Sequence, residues 1–235
     1  MKKFLIILLV LFGSYSAWAE KIIFPEDELA TESVLPKFDR PDSVRSRNIA
    51  TAGRFEFGAF TGWASDEPIF NPIQFGGTAT YHFDETHGLN LVYGLFGGGV
   101  NSYAKEINSS VGLDYTNAFG PKGYYLADYQ FTGFYGKMSM AKDTVVNLHL
   151  FGLVGAGMMD FGGVNEMILN FGLGQKFYFS KNAALRFDMR FMRYNGPNPA
   201  AISKTDLNSG TKTAEDFEST SFLTTHLTVG VVFLL

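Results

Sequence analysis

Three features of the sequence predict one fold class, all-β, as an eight-stranded antiparallel up-and-down transmembrane β-barrel. Eight segments alternate apolar with polar or small residues, the connections alternate short with long, and the N-terminal apolar run is too short to span a bilayer. Composition agrees. The 235 residues include 24 Phe, 11 Tyr and 26 Gly, and charged residues make up 18%, below the roughly 25% of an ordinary soluble domain. Cysteine is absent, which excludes disulfides, thiolate metal sites, Cys nucleophiles and a lipidated N-terminal Cys. The formal net charge is -4 without a basic run, so no nucleic-acid partner is expected.

Met1-Lys2-Lys3, the apolar run Phe4 to Phe12, Gly13 and the small-x-small pattern Ala17-Trp18-Ala19 predict a signal peptide over residues 1–19. Its removal leaves 17 of the 19 Lys and Arg against 23 Asp and Glu, a net -6. Residues 20–52 are polar, with Pro25, Pro36 and Pro41, and read as a periplasmic N-terminal segment with one helical turn at Glu26 to Ala30. Residues 53–235 read as the barrel.

The strands follow in order. Phe55, Phe57, Ala59 and Trp63 share the apolar face of the first, and Phe75, Ala79, Tyr81 and Phe83 that of the second. Leu89, Leu91, Tyr93 and Leu95 oppose Asn90 and Gly94 in the third. Tyr125, Ala127, Tyr129, Phe131 and Tyr135 oppose Asp128, Gln130 and Thr132 in the fourth. Val146, Leu148, Leu150 and Val154 oppose Asn147 and His149 in the fifth. The sixth sets Leu169, Phe171, Leu173, Phe177 and Phe179 against Asn170, Gly172, Gly174 and Lys176. The seventh sets Leu185, Phe187, Met189 and Phe191 against Arg186, Asp188 and Arg190, and the eighth Leu227, Val229, Val231, Phe233 and Leu235 against His226, Thr228 and Gly230. Such strict alternation marks strands between two different environments. Residues 84–87, 141–143 and 180–182 read as tight turns, and 65–73, 101–124, 158–165 and 196–219 as longer loops. Short turns at one end and long loops at the other are the asymmetry of an outer-membrane barrel.

In lipid only a closed barrel satisfies every strand amide, so the apolar set is expected outside. Phe55, Tyr81, Leu91, Phe131, Leu150, Phe171, Phe187 and Val229 are the expected lipid contacts, with Trp63, Tyr93, Tyr125 and Tyr135 in the interfacial girdles. The lumen is expected to hold a charge network of Arg54, Glu56, His82, Asp128, His149, Lys176, Arg186, Asp188, Arg190 and His226. Gly58, Gly76, Gly94, Gly172, Gly174 and Gly230 would make room for it. The competing fold is a soluble lipocalin-like barrel with Phe and Leu inside, for which the polar face here is too small and too glycine-rich.

Arg47, Arg54-Phe55-Glu56-Phe57-Gly58, Tyr81-His82-Phe83 and Tyr135-Gly136-Lys137 occur in that order. They are followed by Gly172-Leu173-Gly174-Gln175, Phe177-Tyr178-Phe179 and Leu185-Arg186-Phe187-Asp188-Met189-Arg190. In order and spacing the chain resembles the outer-membrane β-barrel domain family of gliding and predatory Gram-negative bacteria. The resemblance implies fold and location in the outer membrane, and no reaction. The final Leu235 departs from the usual terminal aromatic, leaving Phe233 for the assembly machinery.

No chemistry-bearing constellation emerges. His82, His149 and His226 fall on inward positions without carboxylate–histidine spacing for a metal. Ser219 and Ser221 precede His226, but the pleat turns Ser221 away from even-numbered neighbours, and no GxSxG is present. Gly97-Gly98-Gly99 and Gly155-Ala156-Gly157 read as crowded strand ends. The expected role is non-enzymatic, structural or interactive, without catalytic residues, cofactor or metal. Expected partners are outer-membrane lipid, the assembly machinery and a periplasmic partner through residues 20–52. The alternatives are a lipid-modifying barrel enzyme and a narrow pore.

Overall fold

The computed structural model describes residues 49–65, 69–141, 144–199 and 216–235. The expected signal peptide, most of the 20–52 segment and most of the loop at 196–219 lie outside them. Eight strands form a closed barrel in sequence order. They are β1 Phe55–Ser65, β2 Ile73–His82, β3 His87–Phe96, β4 Gly123–Ala141, β5 Thr144–Asp160, β6 Asn165–Tyr178, β7 Ala183–Pro197 and β8 Ser219–Leu234. Every neighbour is antiparallel, and β8 returns to β1 through ten registered pairs from Glu56↔Leu234 to Ser65↔Thr225. No edge is left along the closed wall.

Two connections differ from expectation. β5 and β6 continue pairing to Asp160↔Asn165, so the loop expected at 158–165 shrinks to residues 161–164, turned by Gly162 and Gly163 at φ 86° and 151°. The long loop at 101–124 contains a helix, α1, Ser102–Val111. The Asn101 side chain caps its start by accepting from the Ala104 amide at 2.8 Å, and Gly112 at φ 71° ends it.

The opposite end has tight turns. In the β2–β3 turn the Asp84 carboxylate accepts from the amides of Thr86 at 2.6 Å and His87 at 2.7 Å. These bonds hold its carboxyl below the usual carboxylate range. Their contribution is therefore present above the ordinary Asp pKa and is lost as pH falls through the lowered one.

Outward and inward faces are opposite to those of a soluble barrel. Phe131, Phe171 and Phe187 are 46%, 54% and 44% exposed, and Phe171 stacks on its cross-strand neighbour Phe191 at 5.0 Å. Leu91, Leu150, Val229, Trp63, Tyr93 and Tyr125 are also exposed, and Tyr81 is half-buried. Tyr135 is the exception. A bulge between Thr132 and Phe134 shifts the register of β4 against β5 and reverses the parity beyond it. Phe134 therefore points out, 63% exposed, and Tyr135 points in, donating to Asn147 Oδ1 at 2.8 Å.

The inward face has two zones rather than one polar lining. Towards the long loops Val92, Phe96, Tyr124, Leu126, Met159, Ile168, Met192 and Tyr194 form an apolar core. The inward glycines admit rings as well as ions. A Cβ on Gly76 would meet the Phe60 ring at 2.6 Å, and one on Gly94 would strike the Tyr124 ring.

At the tight-turn end the approach to β1 crosses the mouth. Ile49 is buried against Tyr178, Ala184, Val232 and Leu234. The Glu85 carboxylate fastens this strap, accepting from Thr51 N and Oγ1 at 3.0 Å each and from Ala52 N at 3.2 Å. Ile49→Asp places a carboxylate against that apolar cluster. A loss of about 2–4 kcal/mol is expected, read from urea unfolding of the chain in lipid vesicles.

Candidate functional site in the barrel lumen

Six charged side chains are buried in the lumen: Glu56, Asp128 and Asp188 against Lys176, Arg186 and Arg190. Their formal charges cancel. β1 and β6 bring Lys176 Nζ to 2.6 Å from Glu56 Oε1. His82 from β2 lies 3.5 Å from the other carboxylate oxygen, and Arg186 from β7 lies 3.6 Å from Oε1. Arg186 Nε also donates to both oxygens of Asp188 at 3.0 Å. Further up β7, Arg190 reaches Asp128 at 2.5 Å and Asp188 at 3.4 Å. A two-residue period on one strand thus strings Arg186, Asp188 and Arg190 along one line, and facing strands supply the counter-charges.

Neutral side chains complete the network. Asn90 accepts from Thr80 at 2.9 Å and from Arg186 at 3.3 Å while donating to Asp128 at 3.3 Å. Asn170 donates to the other Asp128 oxygen at 2.7 Å. The Phe151 ring lies beneath two cations, with Lys176 Nζ 5.1 Å and Arg186 Cζ 4.9 Å from its centroid, a placement that spreads charge over a π face without another acid. Asn90 and Asn170 were expected on the polar faces of their strands but not in the charge network, and Thr80 and Phe151 were not expected there at all. The inward parity of Asn90, directly opposite Asp128, was a usable signal; Phe151 had none, since apolar residues were assigned outward.

Three expected members stand apart. Arg54 is not in the lumen. It clamps the wall at the tight-turn end, donating to the carbonyls of Leu234 and Leu235 at 3.0 Å and of Ala50 at 3.2 Å. It precedes β1, where strand parity no longer governs direction. His149 is buried among rings, 4.8 Å from Tyr178 and 5.2 Å from Tyr135. His226 is buried nearer the aromatic zone, where its Nδ1 lies 3.1 Å from Gln74 Oε1 and its Nε2 3.0 Å from Thr224 Oγ1. Tyr124 donates to the same Gln74 oxygen at 2.8 Å.

The arrangement is a packed wall rather than a chamber. Between Phe60, Thr78, Arg186 and Asp188 the remaining void is about 10 Å³, room for one water at most. A larger cleft of about 460 Å³ lies among the long loops, lined by Phe70, Phe96, Tyr115, Thr116 and Lys122. Ser221 faces outward opposite Asn195, while His226 faces inward opposite Arg190, so the two cannot share a proton.

Among solved structures the chain is similar to the N-terminal β-barrel domain of Pseudomonas aeruginosa OprF, at 12% identity and TM-score 0.44, covering 78% of this chain and 98% of that one. It is also similar to Ail, the attachment invasion locus protein of Yersinia pestis, at 13% identity and TM-score 0.36, covering 77% and 97%. Neisserial surface protein A matches at 12% identity and TM-score 0.35, covering 77% and 95%. No family model matches, so the resemblance to the barrel family of gliding and predatory bacteria gains no support from one. No curated protein matches either.

Removing one partner leaves a buried charge uncompensated. Glu56→Gln is expected to cost about 3–5 kcal/mol. Glu56→Gln combined with Lys176→Met should cost well below the sum of the single changes, a cycle measured by urea unfolding in vesicles. Gly174→Val, whose side chain would strike the Phe151 ring, should cost about 1–3 kcal/mol in the same assay.

Proposed function

We propose that this chain is a non-enzymatic protein of the bacterial outer membrane, whose barrel is a membrane-spanning body with a structural or interaction role in the envelope. The observation that carries this reading is the reversal of faces. Among the described residues 32 large apolar side chains are exposed, most of them on the outward faces of the strands, while six charges are buried inside. In water such a continuous apolar belt drives association, whereas against acyl chains it is the favourable surface. The tight turns then face the periplasm and the long loops the exterior, as the asymmetry of loop lengths in such barrels requires.

The packed lumen supports a body that carries no solute flow through its centre. The opposite orientations of Ser221 and His226 weigh against acyl transfer at that pair. Lipid is the partner of the belt, the assembly machinery reads the last strand with its exposed Phe233, and residues 20–52 are the contact for a periplasmic partner.

Fractionation with a heat-modifiability gel tests this. The folded chain should sit in the outer membrane and migrate differently unboiled and boiled. Recovery from the soluble periplasm would overturn the reading. Phe171→Arg should cost about 2–4 kcal/mol in vesicles, the penalty of a cation at mid-depth on a lipid-facing strand. In a soluble barrel an exposed Arg at that position would cost almost nothing.

A further inference from the structure

The outward faces of the eight strands carry a single Lys or Arg among the described residues, Arg193 of β7. Its neighbours across both ladders are apolar: Leu169 on β6 and Leu223 on β8, 55% and 59% exposed. Towards the middle of the belt lie Phe191 and Phe171. Towards the long loops the next outward pair is Asn195 and Ser221, both polar and exposed. Arg193 itself is exposed and has no hydrogen bond or ion pair with any described residue. All three buried cations are paired, whereas Arg193 has no partner among the described residues.

Its depth is readable from the strand. Leu185, the first exposed outward residue of β7, is eight residues below Arg193. At a rise of about 3.4 Å per residue and a tilt of about 40°, Arg193 stands roughly 20 Å above it. The apolar band of such barrels is about 25 Å tall. The Arg193 Cα therefore lies just inside the upper boundary, and a snorkelling stem carries the guanidinium to the level of Asn195 and Ser221. At that level in a bilayer the abundant anion is the headgroup phosphate. A guanidinium offers it a planar pair of donors, and the Asn195 amide and Ser221 hydroxyl add uncharged donors alongside.

We propose that Arg193, with Asn195 and Ser221, binds the phosphate of a lipid headgroup in the leaflet at the long-loop end. This rests on the membrane-spanning reading above. It adds a ligand class and a place on the wall. The chemistry requires a phosphate held at the boundary of the belt, which a lipid presents and a dissolved ion does not.

The test is native mass spectrometry of the full folded chain titrated with phosphatidic acid. Arg193→Gln, Arg193→Lys and the loop variant Lys122→Gln are compared, and each is first checked for the unboiled gel shift of a closed barrel. Arg193→Gln is expected to weaken phosphatidic acid binding about tenfold. Arg193→Lys, which keeps the charge but loses the fork, should fall between, and Lys122→Gln should match the unaltered chain. Diacylglycerol, the same lipid without its phosphate, should bind all four alike. Equal binding of phosphatidic acid by the unaltered chain and Arg193→Gln would overturn the proposal. So would an equal weakening by Lys122→Gln, or displacement of the lipid by an equal concentration of inorganic phosphate. A chain that takes up no lipid in any form would overturn the membrane-spanning reading itself, an outcome distinct from a loss confined to Arg193.

Discussion

On the membrane-spanning reading, an amide at the edge of a sheet has no acceptor in hydrocarbon, and the closed architecture answers that constraint. Each strand must be paired on both sides, so the sheet must return to its own beginning. The ten registered pairs between β1 and β8 accomplish this. Once the wall is closed, strand alternation assigns every other side chain to a confined interior. Large apolar residues go outward because the outward phase of the pleat is where Phe55, Phe171 and Phe187 fall. Closure separates the two faces, and the phase of the alternation in each strand decides that the greasy one points out and the ionic one in.

The interior then has its own problem. A charge removed from water and left alone costs several kcal/mol. The lumen meets this with equal numbers of acids and bases, Asp188 pairing within β7 and Glu56 and Asp128 from facing strands. It also uses neutral amides as bridges, so that Asp128 receives Arg190, Asn90 and Asn170 together. The Phe151 ring lies under both Lys176 and Arg186 and accepts some of their field. Above this layer the lining changes to rings and aliphatic side chains, among which the Tyr124 hydroxyl is bonded to Gln74. The lining is thus ionic towards the tight turns and apolar towards the long loops.

Much of this was legible in the sequence, because alternation is a local signal with a fixed period. The eight strands, the closed antiparallel topology and the outward direction of Phe131, Phe171 and Phe187 all come from it. The failures lie where period two breaks or says nothing. One extra residue near Gly133 reversed Tyr135, and no composition cue distinguishes a bulge glycine from a lumen glycine. Arg54 lies ahead of the first strand, so parity had no authority over it. The apolar inward residues Val92, Phe96, Leu126 and Met192 erase the contrast between faces, which hid the extension of several strands and the aromatic zone. Helix α1 lies between Asn101 and Gly112, a cap and a stop eleven positions apart, but a polar loop gave no hydrophobic period to set against them.

The clamp of Arg54 on the carbonyls of Leu234 and Leu235 joins residues about 180 positions apart in the chain. Loop closure over that span is entropically costly, though only logarithmically so. None of the seam bonds exists until the last strand has been made. A half-built sheet would meanwhile have two bare edges, each a template for mispairing. Closing the wall therefore needs both ends of the sheet in place at once, since each of the ten registered pairs of the seam joins β1 to β8.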